Sequence, residues 1–512
     1  MHSFPIHRLY LMAVAILGLG MAFLMGSWVG AGNIMLPTLV IGVSGGIAAI
    51  LLLGRHYWYL IPFSVLSALP AIPLAGRTID LVEVTIAACS AIFFARLAMK
   101  KERFIPFRPT HTALLLSFAW ICWIWYLNPT GLAALGAGTI GARFYVKIIL
   151  GFLAFLVIAS QKPTEIDFRR LLWIVFIGAI LNTLYGMFSF FVLGGAEAEQ
   201  GAGGLEEYTW HQILAGPALT GSWLIFSLYK PSQVFTLQRP WLPILYILAF
   251  GIAAISGKRM SILLILAAPL ISCAINKEYR YALIGSIVGG AMILSLTLSQ
   301  GSIFTLPFTV QRSLSWLPGD WDPSLQELGR GDIFREQLRE LATHEIKRSP
   351  LLGRGYSTSL ADVLSGYTMM EYGSGLEMEK VMGHAASKNW HNRWLGYTAD
   401  FGIPFTVLLV WLYLTAIIIA WRLTRSLNSR SYSRAFAVFA FFWIAQLIIT
   451  SHTSGHTALD ALRNWWMYGL LFAMYAEYFT PKRRSLISQP RPMVSPSHSR
   501  RLAQSNPITA QR

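Results

Sequence analysis

Apolar residues fall along this chain in long blocks rather than at alternate positions or in helical stripes. Blocks of roughly 17 to 25 residues recur from one end to the other, which is the length an α-helix needs to cross a bilayer. The pattern predicts fourteen spans, over residues 9–26, 32–53, 57–74, 79–98, 111–127, 144–160, 171–193, 211–229, 241–256, 259–275, 281–298, 394–420, 435–450 and 463–479. The third, ninth and tenth carry the weakest apolar signal. The expected fold class is therefore all-α and polytopic, with 12–14 transmembrane helices and one large, partly helical loop. No internal repeat is visible.

The blocks stop once, between residues 299 and 393. A connection of that length is a small domain rather than a loop. Within it, Phe334, Leu338 and Leu341 recur on one face of a predicted helix from Asp332 to Arg348, which Ser349-Pro350 ends. The chain then divides into helices over 1–298, the loop domain 299–393, helices over 394–480, and a basic tail over 481–512 expected to be disordered. The apolar run from Leu9 to Val29 lacks a small-residue cleavage site and another span follows it, so no removable signal is expected.

Composition agrees with the pattern: 55% of residues are hydrophobic and 13% charged, with a mean hydropathy of +0.52. The net charge of +17 would suggest nucleic acid in a soluble protein. Its placement excludes that partner. The stretch from Thr480 to Arg512 holds seven Lys or Arg and no acid, and a basic tail beside a hydrophobic span faces the cytoplasm and meets anionic membrane lipid. Lys and Arg also concentrate in alternate connections, such as 100–108, 161–170, 277–280 and 422–434. The intervening connections hold few, namely Arg77, Arg143, Lys258, Arg259 and Arg463, and the one from Gly194 to Trp210 holds four acids and no base. By the positive-inside rule both termini are cytoplasmic and the 299–393 domain lies outside.

Charge thus changes the picture by marking four features on the outer side. Arg143 and Lys147 share a helical face at i and i+4; two cations there suit a phosphate, or snorkel to the interface. Ser256-Gly257-Lys258-Arg259-Met260-Ser261 is a tight outer turn with an adjacent basic pair that opposes the inside bias. Gly329-Arg330-Gly331-Asp332 and Gly353-Arg354-Gly355 bracket the loop helix, and glycines there let backbone approach a ligand. His391-Asn392 opens the twelfth span between Trp390 and Trp394; a neutral imidazole can take a proton from a hydroxyl, and Asn392 can orient a partner.

Other features yield to plainer readings. His452 and His456 sit four apart and His384 lies seven before His391, but neither pair has a third ligand at a diagnostic spacing, so no metal is expected. His344-Glu345 is no zinc-protease motif, because Arg348 stands where a second His is needed. Asp80 and Glu83 are acids of the kind found in proton relays, although Arg77 stands close enough in sequence to pair with Asp80. Cys89, Cys122 and Cys273 lie in separate apolar runs as small core residues.

His391-Asn392, nine residues, then Gly402-Ile403-Pro404 resembles the pattern of the O-antigen ligase and O-antigen polymerase superfamily, with Phe405 departing at its last position. The Gly-Arg turn, the loop helix, Ser349-Pro350-Leu351-Leu352-Gly353-Arg354-Gly355, and the turn at Arg259 are similar to that family in order and type. The resemblance covers about 240–480. It implies a bacterial inner-membrane glycosyltransferase with a periplasmic active face. Its donor would be a glycan on undecaprenyl diphosphate, its acceptor a lipid such as lipid A–core or another glycan, and it would use no cofactor or metal. The resemblance then implies His391 as base, with Asn392 and Gly402 supporting it. Arg143, Lys147, Arg259 and Arg330 become candidates for the leaving diphosphate, and attack opposite that group inverts the anomeric centre. A ligase is the leading expectation. A polymerase of the same superfamily or a protein-glycosylating member are alternatives, and a transporter of lipid-linked glycan is the rival from another class.

Overall fold

The computed structural model of the chain describes residues 53–67, 71–74, 77–129, 142–192, 213–236, 238–315, 317–327, 331–356, 390–452 and 457–479. Its helices are α1 (Leu60–Ser67), α2 (Leu81–Ala98), α3 (Thr112–Leu127), α4 (Ala142–Ala159), α5 (Glu165–Val192), α6 (Ala215–Leu228) and α7 (Trp241–Ile255). These are followed by α8 (Arg259–Asn276), α9 (Tyr279–Ser299), α10 (Phe308–Leu314), α11 (Gly331–Arg348), α12 (Arg393–Ser426), α13 (Tyr432–Ile449) and α14 (Thr457–Phe479). Eight helical segments among the described residues are long and apolar enough to cross a membrane. The protein is an all-α polytopic membrane protein. The first two expected spans and the basic tail lie outside the described residues.

One expected span is not a single helix. Instead of crossing from 57 to 74, the chain makes a 3-10 turn over Gly54–Tyr59 and the 8-residue α1. A hairpin follows, β1 (Ala71–Leu74) against β2 (Arg77–Asp80). Pro73 explains part of the change, since it has no N–H to continue a helix and is tolerated at the edge of a two-stranded ribbon. The hairpin delivers Asp80 to the start of α2.

The centre of the bundle is α4 packed on α14. Two glycines let the backbones close: a Cβ on Gly151 would lie 2.5 Å from the Ala461 carbonyl oxygen, and one on Gly469 would lie 2.8 Å from that of Phe155. Small residues at a helix crossing replace the hydrophobic drive that lipid does not supply. Of the apolar window of α4, 67% is buried, against 6% for α9, which lies at the periphery on α8.

The helix ends fall into two sets, each knitted together by polar contacts. In one, Glu165 receives the Tyr432 and Ser433 backbone N–H groups, Arg434 reaches Asn276, Arg425 reaches the Ala274 carbonyl, and Arg108 that of Ala476. In the other, α2 meets α4, the α7–α8 turn meets α10, and the start of α12 meets α13 and α14. α11 forms as expected, with Leu338, Leu341 and Ala342 buried and packed toward α12.

Candidate active site

The site is built on a break in α12. Asn392 caps the helix, its Oδ1 accepting from the Leu395 N–H at 3.1 Å. Before it, His391 has φ +48°, the left-handed region that non-glycine residues rarely occupy. Trp390 is buried against Gly396, where a Cβ would come within 2.9 Å of the indole Cδ1. The helix then runs to Gly402, whose φ of 81° and ψ of 170° interrupt it. Pro404, two residues on, has no N–H to lose.

A break inside a membrane helix frees backbone groups that lipid cannot satisfy, at several kcal/mol each. Here the turn after α11 takes them up. The Arg354 N–H donates to the Ala399 carbonyl at 3.1 Å and the Gly355 N–H to that of Asp400 at 2.6 Å. The Ile403 N–H donates to the Pro350 carbonyl at 2.8 Å, and Trp120 Nε1 of α3 donates to the Phe401 carbonyl, also at 2.8 Å. Three glycines make the fit possible. A Cβ on Gly402 would lie 2.1 Å from the Leu351 oxygen, one on Gly353 2.5 Å from the Asp400 oxygen, and one on Gly355 2.5 Å from Tyr145 Oη. The glycines of the Gly353-Arg354-Gly355 turn therefore admit the α12 and α4 walls, where the sequence suggested a ligand. Tyr145 Oη also accepts the Tyr356 N–H at 3.1 Å, tying the start of α4 to this turn.

Arg143 and Lys147 stand on that same first stretch of α4, but they face α2. Lys147 Nζ lies 2.7 Å from Asp80 and 3.2 Å from Glu83. Arg143 Nη2 lies 3.8 and 3.6 Å from the same two carboxylates. The hairpin and α2 thus supply two carboxylates to the cation pair for which the sequence suggested a phosphate. Asp80 accordingly pairs with α4; the Arg77 side chain is outside the described residues.

Arg259 sits differently. Gly257 turns the chain at φ +73°, and Arg259 opens α8. Its Nε donates to the Arg312 carbonyl at 3.1 Å and its Nη2 to Ser315 Oγ at 3.0 Å, both at the end of α10. Those neutral acceptors orient the guanidinium without cancelling its charge. The Arg312 side chain reaches the same turn, its Cδ being 3.9 Å from a Cβ built on Gly257. Arg330 and the side chains of His384, His452 and His456 lie outside the described residues. Among those residues no group of three His, Cys, Asp or Glu is placed to hold a metal ion.

Residues 244–410 match the family model described as O-antigen ligase. The match supports the O-antigen ligase and polymerase superfamily, whose members are glycosyltransferase-like enzymes acting on lipid-linked glycans in membranes. No curated protein matches the chain. The O-antigen ligase region opens in α7 and closes in α12 beyond the break, so it contains Arg259, α11, the stitching turn, His391 and Gly402. Arg143 and Lys147 lie before it.

Two polar pairs, one inside this region and one reaching out of it to α14, were not evident in the sequence. Glu345, buried on the apolar face of α11, receives Arg354 Nε at 2.9 Å and so fixes the turn that stitches α12. Arg393, next after the His-Asn pair and 4% exposed, is matched by Asp460 of α14 at 2.7 Å. For the second pair, an arginine at the mouth of an apolar span was the available signal, since such a residue is costly there without a partner.

Proposed function

We propose that the protein transfers a glycan from undecaprenyl diphosphate to an acceptor hydroxyl, as a ligase delivering to lipid A–core in the periplasmic leaflet of a bacterial inner membrane. The observation that carries the reading is the O-antigen ligase match falling on a His-Asn helix start whose following helix is broken at Gly402 and stitched by the 350–355 turn. In the step, His391 takes the acceptor O–H proton while that oxygen attacks the anomeric carbon. The bond from that carbon to the diphosphate oxygen breaks, and its electron pair leaves with undecaprenyl diphosphate. Attack opposite the leaving group inverts the centre.

Charge builds on the leaving diphosphate, and pre-aimed cations are the means of stabilising it. Arg259 carries this role, since its guanidinium is held by a carbonyl and a hydroxyl rather than by a carboxylate. Arg330, which precedes α11 in the sequence and lies outside the described residues, is a second candidate. Arg143 and Lys147 are already balanced by Asp80 and Glu83, and in this reading they shape the wall of the site rather than bind the donor. Asn392 and Gly402 act through the backbone, one capping and one breaking α12.

The lipopolysaccharide banding pattern of a deletion strain tests the reading. Loss of all long chains while lipid-linked polymer persists is the ligase result. Loss of polymer with a single repeat still attached moves the protein to the polymerase branch. An unchanged pattern overturns both.

A further inference from the structure

Immediately after the candidate base, the chain buries an ion pair that the O-antigen ligase match does not enclose. Arg393 uses three of its donors: Nε reaches Asp460 Oδ2 at 2.7 Å, Nη2 reaches Oδ1 at 3.3 Å, and Nη1 reaches the Leu447 carbonyl. The Tyr397 hydroxyl donates to the same Asp460 Oδ2 at 2.6 Å and lies 3.4 Å from the Tyr413 hydroxyl. One guanidinium thus fastens the first turn of α12 to the end of α13 and the start of α14. The fork-on-carboxylate geometry fixes orientation as well as distance.

A buried pair of this kind is a poor way to gain stability. Desolvation of both ions consumes most of the attraction, and well-packed apolar residues of similar volume serve as well or better. What the pair does supply is a unique register. The residue that needs one is two positions upstream: His391 holds φ +48°, a conformation costing about 1–2 kcal/mol for an L-residue, and persisting only where its surroundings over-determine it. Asn392 caps from one side and Trp390 on Gly396 presses from the other. The Arg393 clamp ties this turn to α13 and α14.

We propose that Arg393 and Asp460 form a positioning pair that aims the His391 imidazole at the acceptor hydroxyl. The inference rests on the reading of His391 as base. Neither residue touches substrate in this scheme. A clamp that aims the base governs the chemical step, so its loss lowers kcat and leaves KM for the lipid-linked donor nearly unchanged. It also moves the ascending limb of the pH–rate profile, because the imidazole comes to sit in different surroundings. A purely structural pair does neither.

The test uses the full-length protein in detergent or proteoliposomes, with purified lipid-linked glycan donor and lipid A–core acceptor. Arg393→Met combined with Asp460→Leu removes both charges and leaves no buried ion unpaired. The expected result is a folded protein whose kcat is down about 10²-fold, within the range that base catalysis contributes, with donor KM within a few-fold of wild type. Arg393→Lys keeps the charge but not the fork, and is expected to retain intermediate activity with a shifted pH limb. Wild-type kcat and an unmoved limb in the folded double variant overturn the clamp. If that variant does not fold, Arg393→Lys decides alone: wild-type kcat and limb overturn the proposal, and a reduced kcat with a shifted limb sustains it. His391→Ala separates this from the parent reading. A fully active His391→Ala protein removes the base itself, whereas an inactive one beside a normal double variant removes only the clamp.

Discussion

The cations at the start of α4 and those at the start of α8 read alike in the sequence, and the structure treats them oppositely. Arg143 and Lys147 are closed on Asp80 and Glu83, two charges against two. Arg259 is held by a carbonyl and a hydroxyl, so its charge is aimed but not cancelled by those contacts. A basic residue set against the topological charge bias therefore has two explanations, a carboxylate elsewhere in the chain or an anion from outside. The stitched break at Gly402 belongs with the first kind, since the backbone groups it frees are satisfied within the protein. Closed regions should fail by losing the fold, and the open one by losing chemistry.

The sharpest test of that division is at the break. Gly402→Ala must move the Leu351 backbone, which stands 2.1 Å from the new Cβ, and must hold an L-residue at φ 81°. We expect little folded protein, seen as loss of the monodisperse peak in detergent, and no transfer activity. A well-behaved, active Gly402→Ala protein would show that the break is not fixed by the turn. Next in size is Arg259→Ala. It should fold normally and lose about 10²-fold or more in kcat/KM for the lipid-linked donor, the scale of removing one transition-state donor. Arg259→Lys should recover only part, because the planar fork is gone. Normal transfer by Arg259→Ala would erase the contrast between the two cation sites.

Lys147→Met tests the closed side. Leaving Asp80 and Glu83 short of one cation should cost about 3–5 kcal/mol, read as a lower midpoint of thermal denaturation in detergent. Adding Glu83→Gln should restore much of that midpoint. If the single variant is as stable as wild type but poor in donor binding, the pair holds phosphate after all. The smallest effect belongs to Ser315→Ala, which removes one hydrogen bond to Arg259. A net loss of about 0.5–1.5 kcal/mol corresponds to a rise of roughly 2- to 13-fold in donor KM, with no change in the thermal midpoint.

Much of the architecture was legible because apolar block length reports directly on membrane crossing. α11 was legible too, from Leu338 and Leu341 at helical spacing and from Ser349-Pro350 behind them. The span expected over 57–74 failed because block length says nothing about a proline-bearing hairpin. Ion-pair partners were illegible for a different reason. Lys147 and Asp80 are 67 residues apart, and so are Arg393 and Asp460, so no local period connects them. The short motif at His391 and Gly402 could be recognised, but its physical content could not. Asn392 and Gly402 act through backbone geometry, which a residue pattern names without explaining.

The broken helix also has a consequence for how the protein is made. Among the described residues, every group that satisfies the break from outside α12 precedes it in the chain: Trp120, Pro350, Arg354 and Gly355. A chain emerging from its N-terminus therefore presents these donors and acceptors before α12 is synthesised. The discontinuous helix can then enter the membrane against a surface already prepared to receive its bare carbonyls. A rearranged chain in which α12 was translated first would have to hold those groups in lipid until the rest arrived.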